Sequence, residues 1–106
     1  LDIELAPGTA DQEYEQQVFV PLSDAVMSFR PELVLFQAGV DSLVFDRLGK
    51  LSLSFEGLRR RNRMVMSLVN RLDVPCVITM GGGYSDPLEH SVRAHADVYL
   101  AALGLG

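Results

Sequence analysis

Two stretches of the chain hold the residue types that do chemistry. Residues 40–46, Val-Asp-Ser-Leu-Val-Phe-Asp, carry two carboxylates, Asp41 and Asp46, in a segment with no regular period until about Ser54. Gly81-Gly82-Gly83-Tyr84 places three backbone units without side chains ahead of a phenol. A carboxylate can ligate a metal or move a proton, and a phenol can donate to a developing oxyanion. Glycines let a backbone turn sharply and approach a ligand with nothing between. The same glycines would also serve a plain tight turn or a phosphate cradle. The phosphate reading is the weakest. A dinucleotide fingerprint would need a third glycine where Asp86 stands, and a P-loop would need Lys and Ser or Thr after the last glycine.

The other candidates are weaker. His90 and His95 are five apart on one predicted helix, about 140° around it, and do not form a ligand pair. Asp41 and Asp46 are also five apart, on a loop, which permits joint ligation without requiring it. A catalytic zinc centre needs three protein ligands and an open position. The sequence offers one good ligand and no good set. Arg59, Arg60, Arg61 and Arg63 form the only dense basic cluster, but no aromatic residues are interleaved with it, so it reads as a solvated outer helix face. Cys76 lies in an apolar run and reads as a small buried core thiol.

The surrounding elements place the two stretches. Leu33 to Phe36 is a short apolar run between Pro31 and Gly39, the pattern of a parallel strand buried on both faces. Val74 to Met80 is a second, rich in β-branched residues. Between them Ser54 is a plausible N-cap, and Leu58, Val65, Leu68, Val69 and Leu72 give a helix its buried stripe, closed by Asp73 and Pro75. Strand, helix, strand is a right-handed crossover, so the strands are parallel. The loop with Asp41 and the loop with Tyr84 therefore leave the same edge of the sheet, where ligands bind in open parallel sheets.

Upstream, Leu1 to Leu5 alternates like a half-exposed strand. Thr9 and Gln12 fit a capping box opening a helix that Pro21 should kink or divide and Arg30-Pro31 ends. Downstream, a last helix is predicted from Asp86, with Pro87 in its first position and Glu89 completing a capping box. Its predicted inner stripe is Leu88, Val92, Tyr99, Leu100 and Leu103.

Composition bounds the function classes. A chain of 106 residues is one domain at most. With 48% apolar and 22% charged residues it is an ordinary globular sequence. A net charge of -5 argues against general affinity for nucleic acid or anionic membrane. One cysteine excludes an internal disulfide and a cysteine-based zinc site. No run approaches the apolar length of a membrane span and nothing reads as a signal peptide, so a cytoplasmic location is expected. Leu1 opens in what reads as mid-strand with no initiator Met, and the chain is expected to be a piece of a longer protein.

An ordered set of motifs adds a family. Gly8-Thr9 with Asp11-x-Glu13-Tyr14, Pro31-Glu32-Leu33-Val34, Ala38-Gly39-Val40-Asp41, Asp46-Arg47-Leu48-Gly49, Leu51-Ser52-Leu53-Ser54 with Gly57-Leu58, and Gly81-Gly82-Gly83-Tyr84 run through nearly the whole chain. In order and spacing they resemble the C-terminal third of the zinc-dependent histone deacetylase superfamily. Asp46-Arg47-Leu48-Gly49 and the short segment after Tyr84 look most like the class IV branch and its bacterial relatives. The resemblance implies an α/β fold, the parallel-sheet α/β sandwich of the arginase/deacetylase type, with residues 1–106 as its C-terminal portion. By the same resemblance Asp41 is a zinc ligand, Tyr84 polarises the acyl carbonyl, and Gly82 and Gly83 line the tunnel for an acyl-lysine or similar acylated amine.

In the family the catalytic histidine pair and the Asp-x-His zinc motif lie upstream of the matching region, and neither pattern occurs here. The implied activity is therefore that of a larger zinc amidohydrolase. This chain would contribute one ligand and one oxyanion donor, and alone would hold zinc poorly and lack activity. Its expected partners are the missing N-terminal part or further copies of itself. Two other readings stay open: a non-catalytic interaction fragment of the same fold, and a phosphate- or nucleotide-binding α/β module.

Overall fold

A computed structural model describes residues 1–106. The chain runs α1 (Asp11–Phe29), β1 (Val34–Gly39), α2 (Phe55–Leu72), β2 (Cys76–Gly81), α3 (Leu88–Ala102). β1 and β2 pair in parallel, from Val34 opposite Cys76 to Gly39 opposite Gly81, as the crossover rule requires. Ser54 caps α2, its side chain accepting the Gly57 N–H, and Asp73 ends it in the left-handed conformation.

The core is small. Val40, Leu43, Leu53, Leu58 and Ala94 form its buried centre, with Tyr14 and Phe55 packed against it. Three of the five come from the loop between β1 and α2 and its end. That loop is folded on itself: Leu43 and Leu53 form a bridge, and the Val44 N–H donates to the Leu53 carbonyl at 2.8 Å. A long connection without helix or strand is thus fixed by two fully buried leucines. α1 is held to α2 by polar contacts. The Asp11 carboxylate accepts the Ser54 N–H at 2.8 Å and the Ser54 hydroxyl, and a Cβ at Gly57 would overlap that carboxylate.

Several expectations are corrected. Residues 1–5 form no strand, because no neighbouring strand offers backbone groups to pair with, although Ile3 and Leu5 do turn inward by alternation. Thr9 does not cap α1. It is buried, and its hydroxyl donates to the Ala6 carbonyl at 2.6 Å. α1 runs unbroken through Pro21. The proline lies on the exposed side of the helix, where water can take the carbonyl that its missing N–H leaves free. β1 is not buried on both faces: Leu35 is 69% exposed, since nothing in the chain covers the second face. Cys76 is half-buried, and burial pushes its thiol pKa up.

α3 begins at Leu88, after Pro87 and with no side-chain cap, and its inner face is the reverse of the one expected. Ser91, Ala94, Asp97, Val98 and Ala101 are buried, while Leu88, Val92, Tyr99, Leu100 and Leu103 are exposed. Small residues let α3 approach α2 closely, and the larger side chains are left on the outer face.

The arginine cluster divides. Arg59 pairs with Asp97 of α3 at 3.0 Å, Arg60 with Glu15 of α1, and Arg63 with Glu56 at 3.1 Å. Arg61 is buried and not part of a solvated face. It donates to the Gly39 carbonyl at 2.6 Å and to Asn62 Oδ1 at 2.9 Å, and lies over the Phe36 ring. Desolvation lowers its pKa. No helix is long and apolar enough to cross a membrane.

Only 19 of 106 residues are buried, and Leu35, Val77, Met80, Leu88, Val92 and Leu103 all lie open. A parallel sheet with one bare face and open edges invites association. The 106-residue chain on its own is expected to self-associate and to bind dyes that report apolar surface. A single monomeric species in sedimentation, unfolding cooperatively and without dye binding, would overturn this.

Candidate functional site

The register of the sheet builds the site. Gly39 and Gly81 end their strands side by side, and the Val40 N–H donates to the Gly81 carbonyl at 3.1 Å. Both following loops therefore start from one point on the sheet's carboxyl edge. Asp41 follows β1 and is exposed. Gly82 follows β2 with φ of +64°, and a Cβ there would lie 2.9 Å from Asp41 Cβ. Glycine is needed at that position twice, for its left-handed backbone and for the close approach to Asp41. Gly83, at φ +111°, has the same conformational need, and a Cβ on it would meet His95 Nε2 at 3.0 Å. The structure thus brings Asp41 against Gly82, with Gly83 and Tyr84 continuing along the same edge.

Asp46 differs from Asp41 in its surroundings. It is buried, and both its oxygens are taken by backbone donors. Oδ1 accepts the N–H groups of Leu48 and Gly49, each at 2.9 Å, and Oδ2 accepts that of Tyr84 at 2.8 Å. Burial alone would raise its pKa, but the three N–H donors together with the Arg47 charge outweigh it and hold the carboxyl below its ordinary value. All three contacts are to backbone N–H groups, so the Asp46 carboxylate serves the main chain of the two loops.

Tyr84 is 54% exposed. Its carbonyl accepts from the Arg47 N–H at 3.1 Å and from Arg47 Nε at 3.4 Å. Arg47, Gly83, Tyr84, Ser85, Asp86 and Leu88 line a shallow recess of about 370 Å³ beside the ring. A separate hollow of about 240 Å³ is lined by Tyr14, Gln37, Asp41, Ser42 and Arg61 among others.

The histidines are packing residues, as their spacing suggests. His90 stacks on Phe45 with ring centroids 4.3 Å apart and meets Phe55 edge-on. His95 Nε2 lies 3.4 Å from the Gly82 carbonyl, close beneath the glycine turn. That position was missed from the sequence, and so was Arg61, whose guanidinium holds the carbonyl two residues before Asp41. Neither carries a signal in spacing, because each depends on contact between separate elements. No three side chains of His, Cys, Asp or Glu lie together as a metal-binding group. Asp41 offers an exposed carboxylate against the glycine turn.

Comparison with known proteins identifies the fold and the family. Over 99% of its length the chain superposes on 29% of an acetylpolyamine aminohydrolase from Burkholderia pseudomallei, with a TM-score of 0.81 at 18% identity. This establishes the arginase/deacetylase fold. An uncharacterized protein of Picosynechococcus sp. is 38% identical over 102 residues, 96% of this chain and 34% of that protein. Histone deacetylase clr6 of Schizosaccharomyces pombe is 38% identical over 106 residues, 99% of this chain and 24% of that protein. The chain thus spans between 24% and 34% of the length of these relatives. The model of the histone deacetylase domain matches residues 1–100, and the chain belongs to the histone deacetylase family.

Proposed function

We propose that residues 1–106 are the C-terminal part of one deacetylase-like catalytic domain, acting on acyl-lysine or a similar acylated amine. The carrying observation is the juxtaposition at the sheet edge: Gly82 packed against the Asp41 side chain, with Tyr84 two residues on. In this reading Asp41 is one zinc ligand, and the other ligands and the histidine bases come from the part of the relatives that this chain does not span. When bound, zinc supplies Lewis-acid activation of the acyl carbonyl and of water. Gly82 and Gly83 form a wall without side chains, so an extended acyl-amine can pass close to the backbone. The Tyr84 hydroxyl donates to the oxygen on which negative charge develops, a contact that strengthens toward the transition state.

The bare sheet face and the outer face of α3 fit the same reading, since more chain or a second copy would cover them. The net charge of -5 gives no footprint for direct nucleic-acid binding. We place the deacetylase in the cytoplasm.

One carboxylate binds zinc weakly. The 106-residue chain alone is therefore expected to purify without stoichiometric zinc and to show no deacetylase activity, while the complete enzyme has both. Elemental analysis with an acetyl-lysine peptide assay checks this. One tightly held zinc per isolated chain would refute the shared-set reading and turn attention to His90 and His95.

A further inference from the structure

Tyr84 is more than half exposed, so what fixes the phenol is the peptide backbone that carries it. That peptide is held on both sides by two consecutive residues of the other loop. Asp46 Oδ2 accepts its N–H at 2.8 Å, and Arg47 donates to its carbonyl through N–H and Nε. Asp46 and Ser85 also form an isolated antiparallel bridge. The second Asp46 oxygen closes the turn at Leu48 and Gly49, in the same loop that carries Asp41.

We propose that Asp46 is the positioning residue for Tyr84. Its buried carboxylate couples the Tyr84 peptide to the Asp41 loop and thereby sets where the phenol stands. This rests on the reading of Tyr84 as oxyanion donor. The chemistry is specific to a carboxylate. Three N–H donors converge on two oxygens, and an ionised carboxylate is acceptor on both. Asparagine has the same shape but one oxygen and one NH2. With its oxygen toward Leu48 and Gly49, its NH2 confronts the Tyr84 N–H, donor against donor. Turned the other way, it loses the Leu48–Gly49 turn. Two donors against one favour the first orientation, in which the tie to Tyr84 breaks while the volume is kept.

A residue that only stabilises the fold would behave differently from one that places Tyr84, and a double-mutant cycle separates them. In the complete deacetylase, Asp46→Asn is expected to lower kcat about ten- to a hundredfold, the scale of a displaced catalytic group. Zinc content should stay at the wild-type level. In the Tyr84→Phe background the same change should cost less than about twofold, because there is no hydroxyl left to misplace. Equal losses in both backgrounds, or kcat within about twofold in Asp46→Asn alone, overturn the proposal. Amide hydrogen exchange gives a second readout that does not depend on the role of Tyr84. The Tyr84 N–H should be protected at least about tenfold over its unfolded-chain rate in the unmodified enzyme and should lose that protection in Asp46→Asn. If Tyr84→Phe leaves kcat unchanged, the oxyanion reading fails, and exchange alone judges Asp46. If Asp46→Asn does not fold, an unprotected Tyr84 N–H in the unmodified enzyme is enough to overturn the placement, and a protected one upholds it.

Discussion

Asp41→Asn in the complete deacetylase is expected to lose metal and activity together, whereas Tyr84→Phe is expected to keep the metal and lose about 10²–10³ in kcat. The two residues leave neighbouring strands at one point, so their separation by role has to come from chemistry and not from distance. Asp41 is an exposed anionic oxygen donor facing the glycine turn. Replacing it with an amide removes the charge that competes for a hard or borderline cation. In the proposed reading Tyr84 presents a hydroxyl donor whose work begins only as charge moves onto the acyl oxygen. Its loss should spare substrate binding, leaving KM nearly unchanged, which is the mark of an interaction made in the transition state. The measurement must follow kcat, KM and zinc content in the same preparations. If Tyr84→Phe released zinc, or kept kcat within about twofold, the tyrosine would be structural and the oxyanion assignment wrong.

What the sequence could say about this site was mostly topological. Two apolar runs, a capped helix between them and the parallel crossover were enough to put Asp41 and Tyr84 at one edge. Ser54 announced its cap because capping is local, within three residues. The motif order added the family, which spacing alone left open among a phosphate cradle, a plain turn and a substrate wall. Contacts between distant elements were not legible. Arg61 sits in a run of arginines that reads as solvated, yet its guanidinium is buried against the Gly39 carbonyl and the Phe36 ring. Asp46 reads as a possible second ligand by its spacing from Asp41, whereas both its oxygens take backbone donors.

α3 shows a different limit. Periodicity selects the more hydrophobic face of a helix and assumes that face is packed inward. Here Ser91, Ala94 and Ala101 face the core because α2 and α3 approach closely, and Leu88, Val92 and Leu103 point outward. The rule fails where the greasier face has no partner within the chain. The same cause leaves Leu35 open on a strand whose sequence reads as buried throughout.

Gly49→Ala is expected to be among the most damaging single changes outside the proposed chemistry, although it adds only a methyl group. A Cβ at Gly49 would overlap the Asp41 carbonyl oxygen and lie 2.7 Å from the carbonyl carbon. The obstacle is backbone, which cannot swing aside as a long side chain would. Gly49 is also fixed from its other end, since its N–H donates to Asp46 Oδ1 at 2.9 Å. Relief therefore requires either breaking that hydrogen bond or moving the Asp41 peptide, and with Asp46 also anchored to Leu48 and Tyr84 the Asp41 peptide is expected to yield. Overpacking of a well-packed position costs about 1–3 kcal/mol, and the loss of a hydrogen bond to a charged group adds roughly 1.5–3 kcal/mol. Gly8→Ala provides the control. Gly8 has φ of +82° and nothing within 4 Å of an added Cβ, so alanine there meets only the left-handed backbone penalty of about 1–2 kcal/mol. Denaturant midpoints of the two variants in the complete enzyme, read with zinc content, test the difference. Gly49→Ala should fall well below Gly8→Ala in stability and should lose zinc, because the peptide that must move carries Asp41. Equal midpoints with full zinc in both would mean that the loop yields without moving Asp41, and that the close packing of Gly49 does not help to place it.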